Sequence, residues 1–558
     1  MKAKTIVLLF AVTLAGNMFA GGKSVSKYPG VTVRTLVDGA PIHGSNGLYF
    51  GPDGNLYIAS FGGNEIVKMD PNSGRILDRI GLERGVYSPD DLTFGPDGSL
   101  YWTAIMTGDI GRLFPDGTYD GSIVNLGPGV NPITFSPDND WVFIARDFMD
   151  KGLFKIRPDG SEPTPLLPDL VNFNGFDFGP DGWLYGPLYS GDAKLIKVNA
   201  TKTPPLDPAT DVLDAITGIA PSAAKFDSQG RLVTNDLFTG RILRMDLGTG
   251  EIEVLATVPF SMDNLAIDSY DQVYVSSDKD GYIAKILPRG NYILLSPGGM
   301  ILPSGVAVLP RPDGGESVYV GDIWSLREFD GRTGKMRSVE NSNLAATVLS
   351  TWPLGLTADG NKLLVAAPFG YVVQEYDPVG HAVLQTHADP IIPGIPFVPV
   401  NAIRFNGNIV ATDAVTGLVV QRITGGWLPI FATGGGPVGL ATDGTDLWVS
   451  NYSHGNIYKV GSMTPVATNL SGPEGLAYYP PDGSLLVIEA NAGRLTKIDP
   501  ATGEKIVLAE GLEFGFHFLP EGYASSDAFI DGVTVGPSGA IYVTGNKANV
   551  LYRIEIHP

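Results

Sequence analysis

The chain has 558 residues, 43% of them hydrophobic and 17% charged, so it can bury large cores and carries more than one domain's worth of sequence. Its net charge of −21 repels phosphate backbones and anionic lipid, excluding nucleic acid and membrane surfaces as partners and favouring cations. It has no cysteine, which excludes disulfides, thiolate catalysis and zinc–thiolate sites.

Residues 1–20 read as a signal peptide: a lysine-bearing start, an apolar run from Ile6 to Leu14 too short to span a bilayer, and small residues before a cleavage point after Ala20. The expected location is secreted or periplasmic. A strand, VTVRTLV, follows from Val31. Then comes a phrase repeated twelve times, an apolar strand, a GPDG-like turn and a second strand. It begins at Asn46, Asp90, Asn131, Asn174, Ser222 and Asp263, and again at Ser304, Leu354, Asn401, Val438, Glu474 and Asp531. Each copy runs into a third strand such as EIVKMD or RILRMD, an Asp- or Gly-rich turn, and a fourth strand such as ILDRIG. Period-2 alternation with Val, Ile, Leu and Tyr between such turns predicts four short antiparallel strands per unit. Four strands about every forty residues make a propeller blade.

The fold expected is all-β, two tandem six-bladed β-propellers. The last unit stops after its third strand, VLYRIEI, whereas a spare strand stands at Val31. Starting each set with its outer strand gives one propeller over 31–288 and another over 289–558, each closed by its own first strand. An alternative uses the Val31 strand to close the second ring, with the first ring inserted. A single twelve-bladed ring would leave a channel too wide to fill.

Inner strands begin at the central channel, so the anchor residues form a ring around the axis. In the first propeller these are Asn46, Asp90, Asn131, Asn174, Ser222 and Asp263, with Asn264 beside the last. All carry side-chain oxygens, the donor set of a hard cation such as Ca²⁺. The same residue types also serve turn entry. The second ring places Leu354 and Val438 on the axis, leaving Asn401, Glu474 and Asp531 as donors. For catalysis the candidates are His43, just ahead of Asn46, and the loop carboxylates Asp147 and Asp236 as base or water-positioning groups. Other loop residues on that face are Asp109, Arg146, Asp192, Asn235 and Asp278; in the second propeller they are Asp322, Asp413, His454, Glu489 and Asn491. His517 lies in a long aromatic insertion, 511–530, of the kind that forms a lid or contact patch.

The phrases SNGL at Ser45, FNGF at Phe173, SLYWTAIM from Ser99 and MDNLAID from Met262 resemble those of the calcium-dependent lactonase superfamily, the SMP-30/gluconolactonase and arylesterase group, and the blades resemble NHL repeats. The resemblance implies Ca²⁺ in the first channel, with Asp90 at a Glu position, Asp263 and Asn264 at an Asp-Asn position, and Asn174 and Ser222 at Asn positions. It implies an exported hydrolase of lactones or esters. Two alternatives stand beside it: a non-catalytic NHL-like scaffold for a protein or carbohydrate partner, and a lyase similar to the streptogramin-inactivating propellers.

Overall fold

The computed structural model describes residues 25–188, 193–259, 261–342, 349–350, 352–516 and 530–557. The leader 1–20, Asp192, His517 and most of the 511–530 insertion lie outside the described residues.

The described chain forms twelve antiparallel sheets. Each blade is built on the same local chemistry. In the turn between the first and second strands the Asp of GPDG accepts the amide two residues on, as from Asn55 to Asp53 (3.1 Å) and Ser99 to Asp97 (3.0 Å). The following Gly54 and Gly98 have φ of 74° and 81°, a conformation glycine takes without steric cost. The second strand of a blade is buried along its whole length, as in Leu56–Ser60 and Leu100–Ala104, because adjacent blades cover both its faces.

Blades 1 to 6 span 48–80, 89–125, 130–167, 177–216, 224–257 and 265–296, each from four consecutive strands. Blades 7 to 11 span 306–341, 355–387, 399–432, 437–467 and 473–510. Blade 12 takes three strands from Val533–Val535, Ile541–Gly545 and Val550–Ile556, and its fourth from Val31–Asp38. The expected partition is therefore corrected. The Val31 strand closes the second propeller and Asn291–Ser296 belongs to the first, because the register Val31 to Ile556 through Asp38 to Val550 supplies the outer strand that blade 12 lacks. The first ring is inserted behind the opening strand of the second. Ser26–Lys27 adds a short fifth strand to blade 11.

Both rings close by packing and by side-chain hydroxyls. Ala266, Tyr274 and Ile283 of blade 6 share a core with Leu48 and Ile58 of blade 1, and Ser276 Oγ donates to the Asn46 carbonyl (2.6 Å). In the second ring Val306 and Val318 of blade 7 pack with Tyr542 and Leu551 of blade 12, and Thr544 Oγ1 donates to the Ser304 carbonyl.

The two propellers meet along an apolar seam in which Phe61 and Ile105 of the first pack with Ile301, Ile323, Trp352 and Leu354 of the second. Arg327 of blade 7, 2% exposed, is paired across the seam with Asp280 (2.7 Å) and within its blade with Asp322 (3.0 Å). Among the described residues no helix is long and apolar enough to cross a membrane.

Candidate metal centre in the first propeller

Strand geometry sets how the anchor residues reach the axis. Blade 2 pairs Pro89 with Ala104 and then shifts register before Leu92, and blade 3 shifts between Val130 and Ile133. Asp90 and Asp91, and likewise Asn131, therefore sit in bulges, which bend a strand and re-aim its side chains. Asp91 turns into the sheet, where Oδ2 accepts the Ile133 amide (3.1 Å). Burial pushes its pKa up to about 6, partly offset by Lys225. Asp90 belongs to a different environment.

Four carboxylates feel one another's charge across this channel: Asp90, Asp147, Asp263 and Asp278. The pKa of Asp90 is raised well above the usual carboxylate range by burial, then by Asp147, Asp91 and Asp278. That of Asp263 is raised by burial and by Asp278, Asp90 and Asp91. Asp278 is pushed up to about 6, chiefly by burial, with Lys279 opposing. Asp147 is fully buried and also strongly raised, by burial first and then by Asp263, while the Asn131 side chain pulls it down. No hydrogen bond of standard geometry reaches either oxygen of Asp147, although the Asn131 side chain lies close enough to lower its pKa. A buried carboxylate so poorly supplied with donors carries much of its desolvation cost, and like-charged neighbours add repulsion. A cation among them would remove both costs. Carboxylates with the Asn131 amide beside them have the oxygen chemistry a hard cation takes. Among the described residues, however, no three His, Cys, Asp or Glu side chains are grouped around one metal position, so these side chains would have to draw together and neutral oxygens would have to join them.

The remaining expected residues are placed as follows. Asn174 Oδ1 accepts the adjacent Gly175 amide (2.6 Å), and Asn264 Oδ1 the adjacent Leu265 amide (2.8 Å), as residues entering a turn do. The Ser222 hydroxyl donates to the Asp263 carbonyl and accepts from Asn235 Nδ2. Asn46 is half-buried at the blade 1 strand start, where its own carbonyl takes the ring-closing bond from Ser276.

Asp236 is a structural staple: it accepts from the amides of Ala220 (3.3 Å) and Phe238 (3.2 Å) and from Thr239 Oγ1 (2.6 Å), and pairs with Arg241 (3.2 Å). Those partners outweigh burial and hold its pKa low. Asp322, Asp413 and Glu489 anchor incoming loops the same way. His43 lies in the seam rather than beside the carboxylates. Its ring stacks on Phe516 at 5.3 Å and its Nε2 faces the Asn546 carbonyl at 3.3 Å. Burial, then Arg79, lower its pKa to about 4, and no channel carboxylate is among the groups acting on it.

Asp278 stands in the loop set but outside the expected ligand set. It is the first residue after the blade 6 strand Val273–Ser276 and Ser277, and Asp147 likewise follows its strand, Val142–Arg146. Blade 3 has one extra residue in its first turn, Phe135 pairing Val142 where Phe50 pairs Leu56.

No family model matches the chain, and no curated protein matches it. Among solved structures it is similar to virginiamycin B lyase from Staphylococcus aureus, at 14% identity over 52% of this chain and 96% of that one, TM-score 0.36. It is similar to a gluconolactonase from Xanthomonas campestris, at 16% identity over 45% of this chain and 88% of that one, TM-score 0.37. An extracellular domain assigned to a hybrid two-component system of B. thetaiotaomicron aligns over 94% of this chain and 83% of that one, at 10% identity and TM-score 0.33. The propeller architecture itself rests on the strand pairing above.

Proposed function

We propose that the first propeller is a Ca²⁺-dependent hydrolase of lactones or esters, with its site in the central channel. The observation that carries the reading is Asp147, a fully buried carboxylate with only the Asn131 side chain to support it, set within reach of the charges of Asp90, Asp91 and Asp263. Asp90, Asp147, Asp263 and the Asn131 side chain would hold the ion after drawing together, since no three acidic side chains among the described residues are grouped around one metal position. When bound, the cation supplies charge stabilisation at an ester carbonyl oxygen. Asp278 would take a proton from water, a role supported by its pKa of about 6, which leaves it both ionised at neutral pH and basic enough to accept one. Phe148, Met149 and Phe238 follow the channel loops and are exposed, an apolar rim for an uncharged substrate.

A second reading is favoured by one observation: Asp236 and His43 are engaged elsewhere, by Arg241 and by the seam. A channel that holds a cation without turnover makes the protein a binding module. Calorimetric titration of the mature chain with Ca²⁺, beside Asp147→Asn and Asp278→Asn and with a lactone and aryl-ester screen, separates the two. Stoichiometric binding lost in Asp147→Asn, with hydrolysis lost in Asp278→Asn while binding persists, supports the enzyme. Binding without turnover leaves the module, and no binding ends both.

A further inference from the structure

The strand pair that closes the second propeller carries a cluster of opposite sign. Thr32 and Arg34 on Val31–Asp38 stand directly across from Glu555 and Arg553 on Val550–Ile556. Side chains two residues apart share a face of a strand, so all four project to one side. Arg332 and Thr333, in the turn between the last two strands of blade 7, complete the lining of an open surface cleft of about 450 Å³. Arg34 Nη2 donates to the Arg332 carbonyl (2.8 Å), which pins it against that turn.

Like charges directly across an antiparallel pair destabilise it. Arg34 and Arg553 are such a pair, and Arg332 brings a third cation to the same cleft. Among the described residues only Arg553 is neutralised, by Glu555 at 2.8 Å, and its buried Nε has no acceptor. Among the described residues Arg34 and Arg332 make no ion pair. A chain with 59 acidic residues and 38 basic ones has carboxylates to spare, yet leaves these guanidinium groups facing a common space. Guanidinium forks match carboxylates in bidentate geometry. Glu555 adds what a bare anion cannot use: an acceptor, 39% exposed, for a hydroxyl of the same ligand.

We propose that this cleft binds a small polyhydroxy carboxylate of the sugar-acid class, its carboxylate on Arg34, Arg332 and Arg553 and a hydroxyl on Glu555. The volume lies in the range of small-molecule sites. Because the lining comes from the two ends of the chain and from blade 7, occupancy ties the ring-closing strand to both neighbours and stabilises the fold by mass action. The assignment is independent of the chemistry in the first channel.

The test is calorimetric titration of the full chain with D-glucuronate, inorganic sulfate and D-glucose, with thermal melts of the same samples. D-glucuronate is expected to bind with one-to-one stoichiometry and raise the melting temperature, with D-glucose silent. Arg34→Ala and Arg332→Ala are each expected to weaken binding by about tenfold or more. Ligand-free Arg34→Ala should melt no lower than the parent, since it relieves the opposed charges, which distinguishes loss of site from loss of fold. No D-glucuronate binding at about 10 mM, a level that would detect even weak sites, overturns the proposal. So does affinity unchanged in both variants. Sulfate binding as tightly as D-glucuronate, with Glu555→Gln without effect on either, overturns the sugar-acid assignment.

Discussion

The two propellers share one blade design and fill their axes in opposite ways. On the first axis the strand starts and the loops behind them bring together four carboxylates that raise one another's pKa values, with Asp147 supported by the Asn131 side chain alone. On the second, Val400, Val438 and Ile530 pack together and Leu354 is fully buried. The acids that remain there are satisfied by backbone: Asp531 accepts the amides of Gly515 (2.7 Å) and Asn546 (2.8 Å), and Glu474 accepts that of Asp531 (2.7 Å). One axis is held together by apolar contact and hydrogen bonds. The other gathers carboxylates whose pKa values are raised by burial and by one another.

That contrast can be broken at several points. The largest effect is expected from Asp147→Ala: Ca²⁺ affinity should fall by about 100-fold, ~2.8 kcal/mol, in a calorimetric titration, while the metal-free protein becomes more stable through loss of a buried, poorly satisfied carboxyl group. A parent that binds no Ca²⁺ would dissolve the contrast. Next, Ile530→Ala on the second axis should cost about 2 to 3 kcal/mol in denaturant unfolding and leave Ca²⁺ binding intact. Third comes pH. The folded pKa values of Asp91 and Asp278 are raised to about 6, above their unfolded values near 4, so the native state holds more protons between these limits. Metal-free stability should therefore fall as pH rises from about 4 to 7, seen as a declining melting temperature, and saturating Ca²⁺ should flatten or reverse the trend. Smallest, Asp236→Asn should cost about 1 kcal/mol by weakening the Arg241 pair and the turn, with Ca²⁺ affinity unchanged.

Much of the fold was legible because it repeats. Twelve anchors, most with a turn-forming Asp and a left-handed Gly, specify twelve blades, and the GPDG turns of the first two are built as expected. Which ring the Val31 strand would close was not legible, since a lone apolar strand with alternating pattern fits either ring and only its register against Val550–Ile556 decides. At the site, Asp90 and Asp263 follow from the anchor position. Asp278 was legible in the same loop set as Asp147 but not with the ring, because its charge coupling to Asp90 and Asp263 depends on how blades 2 and 6 meet in space. The employment of His43 depends on Phe516 and Asn546, almost five hundred positions away, and no local pattern reports such a contact.

The nesting of one ring inside the other has a consequence for assembly. Strand Val31–Asp38 finds its partner Val550–Ile556 across the length of the chain, a separation that by itself makes closure slow. The intervening ring, however, leaves and returns at one point: the Ala40 amide donates to the Met300 carbonyl at 2.8 Å. Once the first propeller has folded it acts as a short bridge between its two ends, and the entropy of closing the second is that of a far shorter loop. The first propeller is thus a cassette. Residues 41–299 could be lifted out and 40 joined to 300 without breaking a strand pair of the second ring, and the excised piece carries every blade needed to close on itself.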